Sequence, residues 1–168
     1  MDYAASPGVE NFIEIDPTIT LTTPTIGGYV STSGDCTASF NSATLPGTYN
    51  ELFAGLQPNN SSCYRGVLEW DISSIPDTLT ESAILDVSVE LTFTDDGNWG
   101  GGWTGANHNL MPVLNEQPSS PSSTANMGTD IAAGTAYVSN IAVSGLTEGN
   151  DYTYDLGSAA ETDVYNQL

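Results

Sequence analysis

Hydrophobic and polar residues alternate along much of the chain with the period of two that is typical of β-strands. The clearest alternation covers residues 83–93. Its hydrophobic residues are predicted to face inward, and this inward set is Leu85, Val87, Val89, Leu91 and Phe93. Branched and aromatic side chains on one face are typical of a strand that packs on a hydrophobic core.

The same alternation predicts further strands at residues 12–15, 18–22, 66–71, 109–114, 136–143 and 152–156. Clusters of Gly, Pro, Asn and Asp separate these runs and predict turns. One short helix is expected at residues 158–168, where Ser158 and Glu161 have the spacing of a capping box. Residues 116–134 are rich in Ser, Pro, Thr and Ala, and we expect a long surface loop there.

Many short strands joined by turns predict an all-β fold: an antiparallel β-sandwich of the jelly-roll type, with one short C-terminal helix. The length of 168 residues suits one domain, which buries about two-thirds of the surface that its unfolded chain exposes. We assign residues 1–16 to an N-terminal arm or leading strand. Residues 17–168 are assigned to a single β-sandwich domain.

Charge narrows the range of partners. The chain has 21 Asp and Glu against one Lys or Arg, for a formal net charge of -20. Binding to nucleic acid or to anionic lipid needs a basic patch, so the sequence excludes both kinds of partner. Membrane insertion is not expected, because no run approaches the ~18 apolar residues of a membrane helix. A surface this acidic suits an ion-rich exterior.

Two features bear on the compartment. Residues 1–7 have no basic residue and no long apolar run, so we expect no signal peptide in this sequence. Either a signal peptide has been removed, or the protein leaves its cell another way, and release by lysis inside a virus particle would fit the second case. A bridge between Cys36 and Cys63 would close a loop of roughly 28 residues. It would stabilise the fold by about 3 kcal/mol, because it lowers the entropy of the unfolded chain. Two free thiols in a reducing cytosol are the alternative. We favour the disulfide.

The segment RGVLEWDISSIP at residues 65–76 contains several residues whose structural roles can be predicted. Asp71, with Ser73 and Ser74, is expected to cap a strand through side-chain to backbone hydrogen bonds, and Pro76 stops further pairing. Arg65 is the only strong cation of the chain and is expected to pair with carboxylates, so that it clamps two strands. The alternative is a clamp on the carboxylate of a ligand.

This segment, followed by SAILDVSV at residues 82–89, resembles the DNRLRE-type domain. That family is similar to carbohydrate-binding modules and to disaggregatase-related domains of bacterial, archaeal and phage surface proteins. Trp70 stands where the family usually has Phe, and Gly28 stands where its opening strand usually has Asp. The resemblance implies a jelly-roll fold. Family members continue with further strands after the segment that residues 163–168 resemble, which implies completion of the sandwich by a neighbouring chain or by further residues.

The Gly-rich segment at residues 95–105 is unusual because it contains two tryptophans, Trp99 and Trp103. Their rings could stack on a polysaccharide, insert into a protein partner, or cover one end of the sandwich. Asp95, Asp96 and Asn98 in the same segment offer hard oxygen ligands, so a structural Ca²⁺ is a hypothesis here. Solvated turn residues are the simpler interpretation.

Catalytic patterns are weak. His108 has no nucleophile motif beside it, and no recognisable pair of carboxylates predicts a glycosidase. We therefore expect no enzyme. The favoured hypothesis is a non-catalytic structural protein on an extracellular surface or a virion, with other protein subunits as partners. The alternative is a carbohydrate-binding or adhesion module of a secreted protein.

Overall fold

The structure is a computed structural model, and it describes residues 18–21, 24, 26–34, 36, 39–47, 54–56, 62–94 and 107–168. Within these residues the chain is mostly β, with three small antiparallel sheets and two short α-helices. The predicted predominance of antiparallel strands is confirmed at this level. The predicted leading strand at residues 12–15 lies outside the described residues. Residues 18–21 are described and form no strand, so that part of the prediction is wrong.

The largest sheet contains four strands: β1 (Ile26–Ser33), β2 (Ser42–Gly47), β3 (Gly55–Leu56) and β4 (Ser62–Glu69). All neighbours are antiparallel, in the order β2-β1-β4-β3. β1 pairs with β4 along its whole length, from Ile26 opposite Glu69 to Ser33 opposite Ser62. The strand predicted at residues 66–71 is therefore the second half of β4, which begins earlier and ends at Glu69.

One hydrophobic core lies between this sheet and helix α1 (Thr124–Ala133). It is a cluster of six buried side chains: Val30, Phe40, Cys63, Val67, Met127 and Ile131. Full burial of a large apolar side chain is worth roughly 1.5–3 kcal/mol. The sheet and α1 therefore form the best packed part of the described chain.

Helix α1 corrects the prediction of a surface loop at residues 116–134. Ser123 is its N-cap, and the Ser123 side chain accepts a hydrogen bond from the N–H of Asn126 (3.1 Å). Met127 and Ile131 stand four residues apart on one face and are both buried. The Ser at the N-cap and this apolar pair were the available sequence signals, and the surrounding Ser and Pro residues obscured them.

The other two sheets are two-stranded ribbons. β5 (Ser88–Thr92) pairs with β8 (Asp151–Asp155), and β6 (Asn107–Leu110) pairs with β7 (Val138–Ala142). Each of these four strands overlaps a strand predicted from the sequence. Each is either shorter than the predicted range or shifted along the chain relative to it. β5 is shorter than the predicted strand at residues 83–93, because only the five residues of β8 lie opposite it.

The β6–β7 ribbon contains an irregularity between His108 and Leu110. Asn140, in the opposite strand, has a positive φ of 60°, which Asn tolerates better than most residues. The Asn140 N–H donates to Oδ1 of Asn109 (2.9 Å), so a side chain supplies the partner that the ladder does not.

Helix α2 (Gly157–Gln167) confirms the predicted C-terminal helix but not its capping box. The N-cap position is Leu156, which makes no side-chain cap. Asp155 closes the turn instead, because its Oδ1 accepts from the N–H of Gly157 (2.7 Å), whose φ of +72° suits glycine. Two 3₁₀ turns, Glu81–Ala83 and Val143–Gly145, complete the described elements.

The contact between α1 and the sheet depends on a glycine. A Cβ atom at Gly128 would lie 2.5 Å from Cβ of Phe40, which is too close for two carbon atoms that are not bonded to each other. The backbone of α1 can therefore approach Phe40 only because position 128 has no side chain.

We expect Gly128→Ala to lower the free energy of unfolding. Overpacking of about 1–3 kcal/mol against Phe40 should outweigh the helix-propensity gain of up to about 1 kcal/mol. Urea unfolding followed by far-UV circular dichroism measures the difference. Gly145→Ala is the matched control, because nothing lies within 4 Å of a Cβ there. Equal unfolding midpoints for the two variants would contradict this account.

Candidate interaction surface

The β5–β8 ribbon has an apolar face that the described residues leave half exposed. Val89 lies opposite Tyr154, and Leu91 lies opposite Tyr152. All four side chains are intermediate in burial, and none belongs to the buried core. Val89 and Leu91 thus lie on one apolar face, as predicted. Within the described residues this face is less buried than the core.

Leu85 corrects the prediction at the start of this run. It was expected to face inward, but its side chain is 62% exposed. The ribbon ends near Val87, whose carbonyl accepts from the N–H of Leu156 (2.8 Å), and Leu85 lies beyond that pairing. An exposed leucine therefore lies just before the ribbon, three residues ahead of β5.

Both ribbons line one wide, open cleft. The β5–β8 ribbon contributes residues of both of its faces, including Val89, Leu91 and Tyr152, and the β6–β7 ribbon contributes His108 and Ile141. Burial lowers the pKa of His108, which favours the neutral imidazole. A cleft of this kind, lined mainly by half-buried apolar residues, is typical of a surface that another molecule covers.

The opposite face of the β5–β8 ribbon is acidic. It contains three exposed carboxylates: Glu90, Asp151 and Asp155. Hydroxyl groups of the neighbouring strand donate to two of them, Thr153 to Glu90 (3.3 Å) and Thr92 to Asp151 (2.6 Å). The ribbon is thus apolar on one side and negatively charged on the other.

Asp130 of α1 fixes one wall of the cleft. Its Oδ2 accepts hydrogen bonds from three consecutive backbone N–H groups, those of Leu114 (2.9 Å), Asn115 (2.7 Å) and Glu116 (2.9 Å). The Asn115 side chain donates to its Oδ1 (2.8 Å). Asp130 is only 5% exposed, and burial raises its pKa, but these donors together hold the pKa below its usual value. The sequence analysis missed this residue.

Two glutamates hold the residues that lead into α1. The N–H and hydroxyl of Ser119 donate to the carboxylate of Glu69 on β4 (2.8 and 3.0 Å). The N–H of Ser122 donates to Glu116 (2.6 Å). The segment is ordered by carboxylates that accept from backbone and hydroxyl groups, which explains how a Ser- and Pro-rich stretch can hold a defined position.

A similar contact ties α2 to the second ribbon. The hydroxyl of Tyr137, just before β7, donates to Asp163 of α2. Burial first, and then this hydrogen bond and the charge of Asp163, raise the pKa of Tyr137. The tyrosine therefore stays protonated and remains a donor.

Arg65 joins the sheet to α1. This corrects the prediction that Arg65 pairs with a carboxylate and so clamps two strands. Its Nη1 donates to the backbone carbonyl of Gly128 (2.7 Å), and its guanidinium lies 4.3 Å from the centre of the Phe40 ring. The expected carboxylate partner is thus replaced, within the described residues, by a carbonyl and an aromatic face. Burial lowers the pKa of Arg65, yet a guanidinium remains charged at any ordinary pH.

Asp71 occupies the turn position that its pattern indicated. Its Oδ1 accepts from the N–H of Ser73 (2.8 Å) just after β4 ends. The Ser73 side chain and N–H lower the pKa of Asp71. The next turn bond runs from the N–H of Ile75 to the carbonyl of Ile72 (2.9 Å), so the chain leaves the sheet here.

The structure contains the favoured disulfide. Cys36 and Cys63 are bonded, with their Cα atoms 5.1 Å apart. Cys63 is 1% exposed and belongs to the core, so the bridge ties the segment after β1 to the interior of the sheet.

The remaining predicted site residues, Trp99, Trp103, Asp95, Asp96 and Asn98, lie outside the described residues. Where the chain is described, no group of three or more His, Cys, Asp or Glu side chains is placed to hold a metal ion. None of the described helices is long and apolar enough to cross a membrane.

Comparison of the chain with protein families, with curated proteins and with solved structures finds no match. The resemblance of residues 65–76 and 82–89 to the DNRLRE-type domain therefore stays a prediction that those residues alone support.

We expect reduction of Cys36–Cys63 to destabilise the protein by about 2–4 kcal/mol, because the open loop regains entropy when the chain unfolds. Thermal unfolding with and without reductant measures the change. The double variant Cys36→Ser with Cys63→Ser is the control, since its unfolding temperature should not respond to reductant. An unfolding temperature of the parent chain that reductant leaves unchanged would contradict the proposed contribution.

Asp130→Asn should destabilise the fold by about 1–3 kcal/mol at neutral pH, because an amide cannot present two acceptor oxygens to these donors. The folded-state pKa of Asp130 is lowered, so its contribution is complete above about pH 4 and is lost as pH falls through the folded-state pKa. The stability gap between parent and variant should therefore narrow in acid. Urea unfolding across this pH range tests it, with the exposed Asp77→Asn as control. A gap that is constant with pH would refute the assignment.

Proposed function

We propose that this protein is a non-catalytic structural protein on an external surface, either a virion decoration or tail component or a subunit of a surface filament. Its work is to assemble with other protein subunits. The observation that carries the proposal is the apolar face of the β5–β8 ribbon, where alternating hydrophobic side chains remain half exposed.

An isolated two-stranded ribbon is at best marginally stable in water. Covering its apolar face would supply the burial that the described residues lack, at roughly 25 cal/mol for each Å² removed from water. A strand from a neighbouring chain could supply that cover and complete a jelly-roll sandwich. This architecture is the one that the resemblance to the DNRLRE-type domain implies.

Two further observations support an external location. The Cys36–Cys63 disulfide is the kind of bond that persists in oxidising surroundings. The net charge of -20 keeps subunits soluble in ion-rich media, where salt screens their repulsion. Within that setting, a structural Ca²⁺ held by Asp95, Asp96 and Asn98 is part of the proposal.

The alternative function is a carbohydrate-binding or adhesion module of a secreted protein. It is supported by the same resemblance and by Trp99 and Trp103, whose rings could stack on a polysaccharide. The two functions predict different states of the native protein, because an assembly subunit is found in complexes and a binding module can act as a monomer.

We expect the native chain to sediment as part of a complex with other protein subunits and not as a free chain of 17.6 kDa. Leu85→Ser should release it from the complex, because this leucine is a large apolar side chain that is 62% exposed and lies just before the ribbon. Sedimentation of tagged chains isolated from the producing cells or particles, with and without Ca²⁺, measures both effects.

Tyr165→Ser is the matched control, because Tyr165 is also an exposed large side chain (38%) but lies on α2 and not on the ribbon. It should leave the complex intact. A native chain that sediments as a monomer and binds a polysaccharide, and loses that binding on Trp99→Ala or Trp103→Ala, would overturn the assembly function in favour of the alternative.

A further inference from the structure

We infer that the β5–β8 ribbon accepts an added strand from a different protein, in which apolar residues alternate with Lys or Arg. This inference rests on the proposed assembly function and names the chemistry of the partner. It combines three features of the ribbon: its edges, its two unlike faces and the charge of the whole chain.

Among the described residues, no further strand pairs with either edge of the ribbon. In the part of the chain that the structure describes, β5 pairs with β8 alone. The outer edge of each strand therefore presents backbone N–H and C=O groups of the kind that an additional strand uses. Pairing through the backbone supplies affinity, and the side chains of the added strand supply specificity.

The two faces of the ribbon determine the sequence pattern of that strand. Side chains of an added strand point alternately to the apolar face and to the acidic face. Side chains of the added strand on the apolar face would continue the surface formed by Val89, Leu91, Tyr152 and Tyr154. Side chains on the acidic face would stand beside the carboxylates of β5 or of β8, depending on which edge the added strand uses.

Both edges carry such carboxylates. Glu90 lies on β5, and Asp151 and Asp155 lie at the two ends of β8, so each strand has at least one carboxylate on this face. Opposite charges on neighbouring strands stabilise a sheet, and like charges directly opposite each other destabilise it. The added strand is therefore basic on this face.

A second copy of this chain does not fit that description. Its only Lys or Arg is Arg65, which already contacts the carbonyl of Gly128 and the ring of Phe40. Pairing two copies at this ribbon would bring acidic faces together and add a second net charge of -20. The occupant is thus a separate, basic partner.

The test uses the full chain and synthetic peptides that model the strand. A peptide of alternating Val and Lys should bind, with an affinity that falls as salt is added. A peptide of alternating Val and Glu should not bind, and one of alternating Ser and Lys should bind much more weakly. Hydrogen exchange should show new protection of backbone amides in β5 or β8 when the Val and Lys peptide is bound.

Variants separate this ribbon from a general attraction between opposite charges. Glu90→Gln on β5 and Asp151→Asn on β8 each keep one acceptor oxygen but lose the charge. The variant at the edge that the peptide uses should bind the Val and Lys peptide about twofold to fivefold more weakly. Glu148→Gln removes one charge from the turn before β8 and should leave the affinity unchanged. Equal weakening by all three, or equal binding of the Ser and Lys peptide, would overturn the inference.

Two outcomes distinguish this inference from the proposed function. Self-assembly of the pure chain through β5 and β8, with no basic partner present, would overturn the inference and leave the assembly function standing. Protection of the β5 and β8 edge amides in the pure monomer would also overturn it, because the chain would then cover its own ribbon. A native chain that is never found in complexes would remove the proposed function, whatever the peptides do.

Discussion

The contact of Arg65 with Phe40 and Gly128 is the interaction on which the rest of the structure depends. A single guanidinium joins the four-stranded sheet to α1, through a carbonyl at 2.7 Å and an aromatic ring at 4.3 Å. Hydrogen bonds from charged groups are worth about 1.5–3 kcal/mol, and partly desolvated cation–π contacts add to that. The position of α1 then places Asp130, which holds residues 114–116 and one wall of the cleft.

A chain with one strong cation cannot stabilise its carboxylates by ion pairs, and this one uses backbone and hydroxyl donors instead. Asp130 accepts from three N–H groups, Glu69 accepts from Ser119, and Asp71 and Asp155 close turns. Such charge-assisted bonds are stronger than neutral ones and do not need a basic residue. On the β5–β8 ribbon, Glu90 and Asp151 face solvent and accept hydrogen bonds from threonine hydroxyls.

The predictable parts of the fold are those in which neighbouring residues carry the information. The alternation at residues 83–93 and 152–156 predicted two strands, and the structure has β5 and β8 there with an apolar face. The alternation could not show that this face stays half exposed, or that the two strands pair across some sixty intervening residues. The Asp71 turn was predictable because both partners lie within three positions. Helix α1 was missed because Met127 and Ile131 form a small apolar pair inside a polar stretch, and their burial depends on the sheet.

The sequence by itself determined the strand-forming alternation and the strongly acidic charge, since these follow from local geometry and from composition. Only the tertiary structure decided which polar groups meet. It paired Arg65 with a carbonyl sixty-three positions away, and it joined Asp130 to a loop and Tyr137 to α2. The physical reason is that a hydrogen bond or a packed ring depends on distances of a few ångströms between segments remote in the chain, and neither periodicity nor composition encodes those distances.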